Sequence, residues 1–201
     1  MNIKEQEELN KKLIKYSKEG NLELVQHSIE QGADIHVWNN YPIRVAAESG
    51  HLESVKYLVG QGADIHANNN YALIYASYNG HIKTVKYLVE QGANIHANDN
   101  YALNLASYQG HLEIVKYLVE QGADIHTNGD DAFKAASENG YVEIVKYFLF
   151  DEKMEIKKET KDWLIKNGKK EILNLIKKRD LLLKLYQGMI KNDSVNKKVK
   201  I

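Results

Sequence analysis

The segment HLEIVKYLVEQGADIH at residues 111–126 decides the fold, because two near copies of it precede it in the chain. The copies read HLESVKYLVGQGADIH at 51–66 and HIKTVKYLVEQGANIH at 81–96, so successive copies start 30 residues apart. A fixed period of roughly 20 to 50 residues is the signature of a solenoid of stacked repeats. Nine of the 13 glycines keep the period in two columns, which are Gly20, Gly50, Gly80, Gly110 and Gly140, and Gly32, Gly62, Gly92 and Gly122.

Each unit is predicted to form two short helices, because each glycine column marks a point where a helix ends in a left-handed residue. In one unit the first helix is expected at about 71–79 and the second at about 81–90. In the preceding unit, Tyr41 is the expected N-cap and Pro42 the first helical residue, since a residue before proline avoids the α region. The second helix carries an apolar stripe on one face, made by Ile82, Val85, Leu88 and Val89.

A helix pair of this size cannot bury its apolar face alone, so it must stack on copies of itself. Small side chains at one position of the first helix allow close contact between the copies. These residues are Ala46, Ala76, Ala106 and Ala136. The sequence therefore predicts an all-α solenoid of stacked antiparallel helix pairs with short connecting turns.

The segment GHLEIVKYLVEQGADI at 110–125 resembles the second half of an ankyrin repeat. The first half departs from the family pattern T-P-L-H-x-A, because the Thr and the His are absent from all four units. The corresponding segments are YPIRVA at 41–46, YALIYA at 71–76, YALNLA at 101–106 and DAFKAA at 131–136. The period of 30 residues is also shorter than the family norm of about 33, and the missing residues fall in the turn between units. The resemblance implies an ankyrin-like solenoid that binds proteins on a concave face and has shortened β-hairpin fingers.

Four segments are expected along the chain. Residues 1–36 form an N-terminal capping repeat, and residues 37–156 form four regular repeats. Residues 157–190 form a degenerate C-terminal cap and a final helix, with GKKEILNLIKK in place of GHLEIVKYLVE. Residues 191–201 form a polar tail that we expect to be disordered.

Composition excludes several classes of protein. The chain has 27 basic and 27 acidic residues, so its formal net charge is zero. It therefore lacks the overall electrostatic field that is typical of nucleic-acid or membrane binders. The absence of cysteine excludes disulfide scaffolds, thiolate zinc sites, iron–sulfur clusters and cysteine nucleophiles. The N-terminal segment MNIKEQEELNKK lacks the apolar core of a signal peptide. We therefore expect an intracellular monomer that is not secreted and does not bind membranes.

The sequence gives little support to catalysis. It contains no G-x-x-x-x-G-K-[ST], G-x-G-x-x-G, H-E-x-x-H or G-x-S-x-G motif. Clustered acidic residues fall in turns or near the N-terminus, where nothing buries and tunes them. We expect no enzyme activity and no cofactor.

The histidines are not expected to bind a metal. Equivalent residues of neighbouring units lie roughly one helix-packing distance of 10 Å apart, whereas zinc ligands lie about 2.0–2.1 Å from one ion. Each histidine is instead expected to hydrogen-bond the backbone of its own or the neighbouring turn. The two columns are His36, His66, His96 and His126, and His51, His81 and His111.

The units stop copying one another at positions that line the concave face in ankyrin arrays. We expect a central aromatic patch of Tyr71, Tyr78, Tyr101 and Tyr108 there. The alternative is drift between duplicated units, with Tyr71 and Tyr101 merely covering helix starts. The candidate protein-binding residues are Trp38, Arg44, Glu48, Tyr71, Ile74, Tyr78, Tyr101, Asn104, Tyr108, Lys134 and Glu138.

These patterns favour a non-catalytic scaffold that binds an unidentified protein partner. An alternative is an adaptor, because residues 1–150 hold 12 basic and 19 acidic side chains while residues 151–201 hold 15 and 8. The basic C-terminal region would then recruit a second partner or nucleic acid. A solubilising cap is the favoured explanation, since acidic residues are interleaved and aromatic residues are few. The basic candidates are Lys166, Lys169, Lys170, Lys177, Lys178, Arg179, Lys197, Lys198 and Lys200.

Overall fold

The computed structural model describes residues 2–198, and this part of the chain consists of helices and turns without a strand. Successive helices form pairs, and the pairs stack in sequence order. The predicted all-α solenoid is therefore confirmed. The helices are α1 (Ile3–Glu19), α2 (Leu22–Glu30), α3 (Val37–Glu48), α4 (Leu52–Gly60), α5 (Ala67–Tyr78), α6 (Ile82–Glu90), α7 (Ala97–Gln109), α8 (Leu112–Glu120), α9 (Thr127–Glu138), α10 (Val142–Lys146) with a π-helical turn (Tyr147–Asp151), α11 (Lys158–Lys166) and α12 (Lys170–Lys198).

The stack is curved because its two rows of helices pack differently. The first helices of the pairs, from α1 to α9, contact one another much more extensively than the second helices do. Fully buried alanines such as Ala46, Ala76 and Ala106 allow the first helices to approach closely. The closer row lies on the inside of the curve, so the first helices line the concave face.

A left-handed turn opens each first helix of the regular units. In α5, residues 68–70 have φ between +54° and +61°, and the Asn70 N–H donates to the His66 carbonyl at 3.0 Å. This conformation costs most side chains about 1–2 kcal/mol per residue, whereas Asn, Asp and Gly tolerate it best. These three types fill eleven of the twelve positions, and Trp38 is the exception. The single left-handed turn takes the place of a hairpin finger, as the short period predicts.

The left-handed turn moves the start of α3 relative to the expectation from sequence. Residues 38–40 are left-handed, and the right-handed part of the helix begins at Tyr41. Asn40 therefore holds the flanking position, Tyr41 is the first helical residue and Pro42 the second. Proline fits there because the first N–H groups of a helix have no intrahelical partner.

Buried asparagines fix these turns. Asn70 is 6% exposed, and its Oδ1 accepts the Asn94 N–H at 2.8 Å and lies 3.1 Å from Nδ1 of His66. One carboxamide thus joins its own turn to the turn of the next unit. Equivalent contacts are made by Asn40 and Asn100.

The same column continues into both terminal units. At the N-terminal end, Oδ1 of Asn10 accepts the Asp34 N–H at 2.8 Å. At the C-terminal end the position is held by Asp130, a fully buried residue. Its Oδ1 lies 2.8 Å from Nδ1 of His126, and its Oδ2 accepts the Thr160 hydroxyl proton at 2.5 Å.

The two histidine columns have different partners. Nε2 of His81 lies 3.0 Å from the Glu48 carbonyl of the preceding unit. His51 and His111 make equivalent contacts with the carbonyls of Lys18 and Tyr78. A hydrogen bond to neighbouring backbone is therefore confirmed for this column. In the other column, which includes His66, the ring nitrogen contacts an Asn or Asp side chain four residues later, so the expected backbone partner is wrong there. Among the described residues, no group of three His, Asp or Glu side chains has an arrangement suited to a metal ion.

Gly50 is needed for close packing against His81 of the next unit as well as for its backbone conformation. Gly50 has φ +78°, and a Cβ atom there would lie 2.4 Å from Nδ1 of His81. No other residue fits this position without moving the histidine. The glycine and histidine columns thus form one contact between successive units.

The regular pattern ends after residue 146. Glu152 stands 30 residues after Gly122, where a further glycine would continue the column, and α10 passes into the π-helical turn. At the C-terminus, a cap with a final helix at 157–190 and a disordered tail at 191–201 are expected from sequence. The structure instead continues α12 from Lys170 to Lys198. No proline interrupts this segment, and residues 199–201 lie outside the described residues.

We predict that Asn70→Ala destabilises the protein more than Asn69→Ala. Both residues are left-handed, but Asn69 is exposed. Asn69→Ala should cost only the backbone penalty of about 1–2 kcal/mol. Asn70→Ala should cost a further 1–3 kcal/mol or so, because the buried carboxamide is lost and the Asn94 N–H loses its acceptor. Urea unfolding of the two variants measures the difference, and equal losses would contradict the proposed role of the carboxamide.

Candidate protein-binding surface

Helices α3 and α5 place aromatic and charged side chains on the concave face. In α5, Tyr71, Tyr75 and Tyr78 follow a spacing of four and three residues, which puts them on one side of the helix. Tyr41 and Arg44 of α3 are three residues apart and lie beside them. The site is therefore built across two neighbouring units.

The Arg44 guanidinium lies between two aromatic rings. Its Cζ is 4.9 Å from the ring centroid of Tyr41 and 5.1 Å from that of Tyr71. Its Nη2 donates to the Trp38 carbonyl at 2.8 Å, and its Nε donates to the Asn39 carbonyl at 3.1 Å. Because the left-handed turn aims these carbonyls at the helix, it also holds the arginine in place.

Further ring contacts extend this arrangement in both directions. The rings of Tyr71 and Tyr75 are stacked, with centroids 3.9 Å apart, and those of Tyr75 and Tyr78 are 6.2 Å apart. The rings of Trp38 and Tyr41 are 6.0 Å apart. We call this connected set of six residues the aromatic row. Its members are Trp38, Tyr41, Arg44, Tyr71, Tyr75 and Tyr78.

The aromatic row has one carboxylate beside it. Oε2 of Glu48 accepts the Tyr71 hydroxyl proton at 3.4 Å. Burial, and after it the nearby Glu48 carboxylate, raises the pKa of Tyr71 to about 12. The phenol therefore stays protonated at neutral pH and keeps a hydrogen-bond donor at the surface.

The structure brings together about half of the residues expected from sequence. Trp38, Arg44, Glu48, Tyr71 and Tyr78 form one cluster. Trp38 is the most accessible of them at 64% exposure. Of the four residues of the expected aromatic patch, Tyr71 and Tyr78 belong to this cluster, whereas Tyr101 and Tyr108 do not.

The remaining expected residues lie apart from the aromatic row. Tyr101 and Tyr108 are exposed on α7, and neither ring has a close aromatic neighbour among the described residues. Asn104 and Lys134 are half-buried, and Glu138 is exposed.

One expected contact residue is buried. Ile74 is 3% exposed and belongs to the hydrophobic core, although it occupies the repeat position of Arg44. The interpretation of Ile74 as a partner contact is therefore wrong. An apolar side chain at this position packs between units, whereas the charged Arg44 reaches the surface.

Sequence reasoning missed Tyr41 and Tyr75 as members of the site. Tyr75 stands where the other regular units have Val45, Leu105 and Ala135. A comparison of this column would have shown that one unit carries an aromatic residue at an aliphatic position. The stacking of Tyr75 on Tyr71 depends on side-chain geometry, which the sequence does not show.

The surface can bind a protein through a few large contacts. Tryptophan, tyrosine and arginine are the residue types that dominate binding energy in protein interfaces. Rings that are already stacked lose little side-chain entropy when a partner binds. The aromatic row thus offers apolar faces, a fixed cation and a neighbouring carboxylate.

Comparison with known proteins agrees with the repeat structure. The family model described as ankyrin repeats (3 copies) matches residues 13–99 and 96–162. A search among curated proteins finds no match to the chain. None of the helices within residues 2–198 has both the length and the apolar composition to cross a membrane.

We predict that Tyr71 ionises at about pH 12, well above the ordinary pKa of 10. Its contribution to stability should be complete below pH 10 and should disappear as the pH rises through 12, because the folded protein favours the protonated phenol. Tyrosinate absorbance, compared between the wild type and Tyr71→Phe, isolates this residue from the other tyrosines with raised pKa values. In Glu48→Gln the pKa should fall but stay above 10, since burial remains. An ordinary pKa for Tyr71 in the wild type would contradict the geometry.

Proposed function

Since the chain belongs to the ankyrin repeat family, we propose that it is a non-catalytic scaffold that binds one protein partner on its concave face. Ankyrin repeats are general protein–protein interaction modules. The observation that carries the proposal is the fixed position of Arg44 between two tyrosine rings. A side chain held in this way on the surface is suited to recognition.

The aromatic row is the proposed centre of the binding surface. Trp38 lies in the left-handed turn, and its side chain is 64% exposed, so little of it packs against the rest of the chain. It is the one turn residue that is not Asn, Asp or Gly, so the fold does not explain why a tryptophan occupies this strained position. Contact with a partner gives a reason for a tryptophan at this position.

The surface extends along the concave face towards the C-terminus. Tyr101, Asn104 and Tyr108 of α7 and Lys134 and Glu138 of α9 continue it in this proposal. A partner that spans four units would contact aromatic groups first and charged groups at the far end.

The adaptor is the second candidate function. In it, the basic C-terminal region binds a second partner while the repeats bind the first. The exposed lysines Lys166, Lys170, Lys177 and Lys178 support it. Arg179 does not, because it is 8% exposed and bound to Asp180. Nucleic acid is not an expected partner. We propose an intracellular location, which fits a chain without cysteine.

The function is tested by affinity capture from the native host, followed by binding measurements with the captured protein. We predict that Trp38→Ala weakens binding about tenfold or more, the loss typical of a hot-spot residue. Stability should change little, because Trp38 is exposed. Tyr108→Ala should have a smaller effect, since its ring lies outside the aromatic row.

The control is the double variant Lys83→Ala with Glu113→Ala, which changes exposed residues on the second helices α6 and α8. It should bind as tightly as the wild type. If Trp38→Ala and Tyr78→Ala bind the captured partner as tightly as the control does, this result would contradict binding at the aromatic row. Loss of the partner on deletion of residues 180–201 alone would favour the adaptor.

A further inference from the structure

Helix α12 continues its apolar face beyond the end of the repeat stack. Ile172 and Ile176 are buried against the preceding helices, and Arg179 follows on the same side. One turn further, the same face carries Leu182, Leu183 and Tyr186. These residues are exposed because the helix has passed the last unit. A solenoid normally closes with a polar face at this point.

A groove lies beside this exposed part of α12. On one side it is lined by Leu149, Phe150 and Met154, and on the other by Leu182, Leu183 and Tyr186. The open cavity between them has a volume of about 590 Å³. It exists because the π-helical turn and the following segment replace the compact glycine turn of the earlier units. We call it the terminal groove.

The charged groups around the terminal groove balance one another. Arg179 donates from Nη1 to the Met154 carbonyl and from Nη2 to Asp180 at 2.7 Å. Lys153 and Glu155 add one charge of each sign to the lining. A strongly acidic or basic partner would therefore gain no electrostatic attraction here, whereas a neutral apolar surface would meet no repulsion.

The exposed apolar area is of the size that a stable dimer needs. At a full area of roughly 200 Å² for each large side chain, the exposed fractions in this region amount to roughly 800 Å² per chain, about what one partner contributes to a standard interface. The residues are Leu181, Leu182, Leu183, Leu185, Tyr186 and Met189, which are 49–65% exposed, and Phe150 at 37%.

We propose that a second copy of the chain covers this surface. In the dimer, residues 181–186 of each α12 lie in the terminal groove of the other chain. The chain itself supplies a leucine-rich helix that fits an apolar groove, and the balanced charges permit contact between identical surfaces. Both contacts form at once about a twofold axis, so the interface closes and no further copies add. This replaces the monomer expected from sequence.

The dimer goes beyond the proposed function because it places two concave faces in one particle. Each face can hold its own partner molecule. A partner with two binding segments would then bind more tightly than one segment alone. The dimer does not depend on the aromatic row, so either proposal can fail without the other.

Sedimentation of the full chain over a range of concentrations tests the dimer. We predict a species of twice 23.0 kDa for the wild type. Leu182→Glu and, separately, Tyr186→Glu should give monomers, because each would bury a carboxylate in the interface. Circular dichroism should show unchanged helix content, since both residues are exposed in the single chain.

The matched control is Asn174→Glu, which adds the same charge at an exposed position of α12 outside the terminal groove. It should remain a dimer. Interfaces of this area usually have dissociation constants in the μM–pM range. A wild-type chain that is still monomeric at roughly 100 μM would therefore overturn the proposal, even if another protein binds the groove. A dimer that survives both Leu182→Glu and Tyr186→Glu would place the interface elsewhere and would also overturn it.

Discussion

The fold depends on the hydrogen bond between a buried asparagine carboxamide and a backbone N–H in the turn that leads to the next unit. Each regular unit uses a left-handed turn of three residues, which is costly for most side chains. The cost is offset because the last residue of the turn, such as Asn70, accepts the Asn94 N–H and contacts His66. A shorter connection is thereby made compatible with regular stacking. The turn then sets where each first helix begins and which residues face the concave side.

The proposed binding surface depends on the same turn. The carbonyls of Trp38 and Asn39 point at Arg44 because the chain is left-handed there. Arg44 is thus held where it can stack between rings from two units. A longer hairpin finger would place other groups at this position. The short repeat therefore has no projecting fingers and instead carries a fixed cluster of side chains on its helices.

The sequence was sufficient for the repeat architecture, because glycine and alanine columns report directly on helix ends and close helix contacts. It also indicated Trp38, Arg44, Tyr71 and Tyr78 as candidates, and the structure brings these residues together. It was not sufficient for the left-handed turn, which asparagine permits without requiring. The burial of Ile74 and the stacking of Tyr75 depend on packing between units. The continuous α12 was missed because the pattern of the repeats no longer applies after residue 146.

Amide hydrogen exchange tests directly whether the asparagine column holds the units together. If the asparagine column ties the units together, the N–H groups of Asp64, Asn94 and Asp124 should exchange as slowly as those of the core helices. Their exchange should then require the opening of a whole unit. Exchange at the rate of an unfolded peptide would contradict the account, because it would mean that the turns open without disturbing the stack.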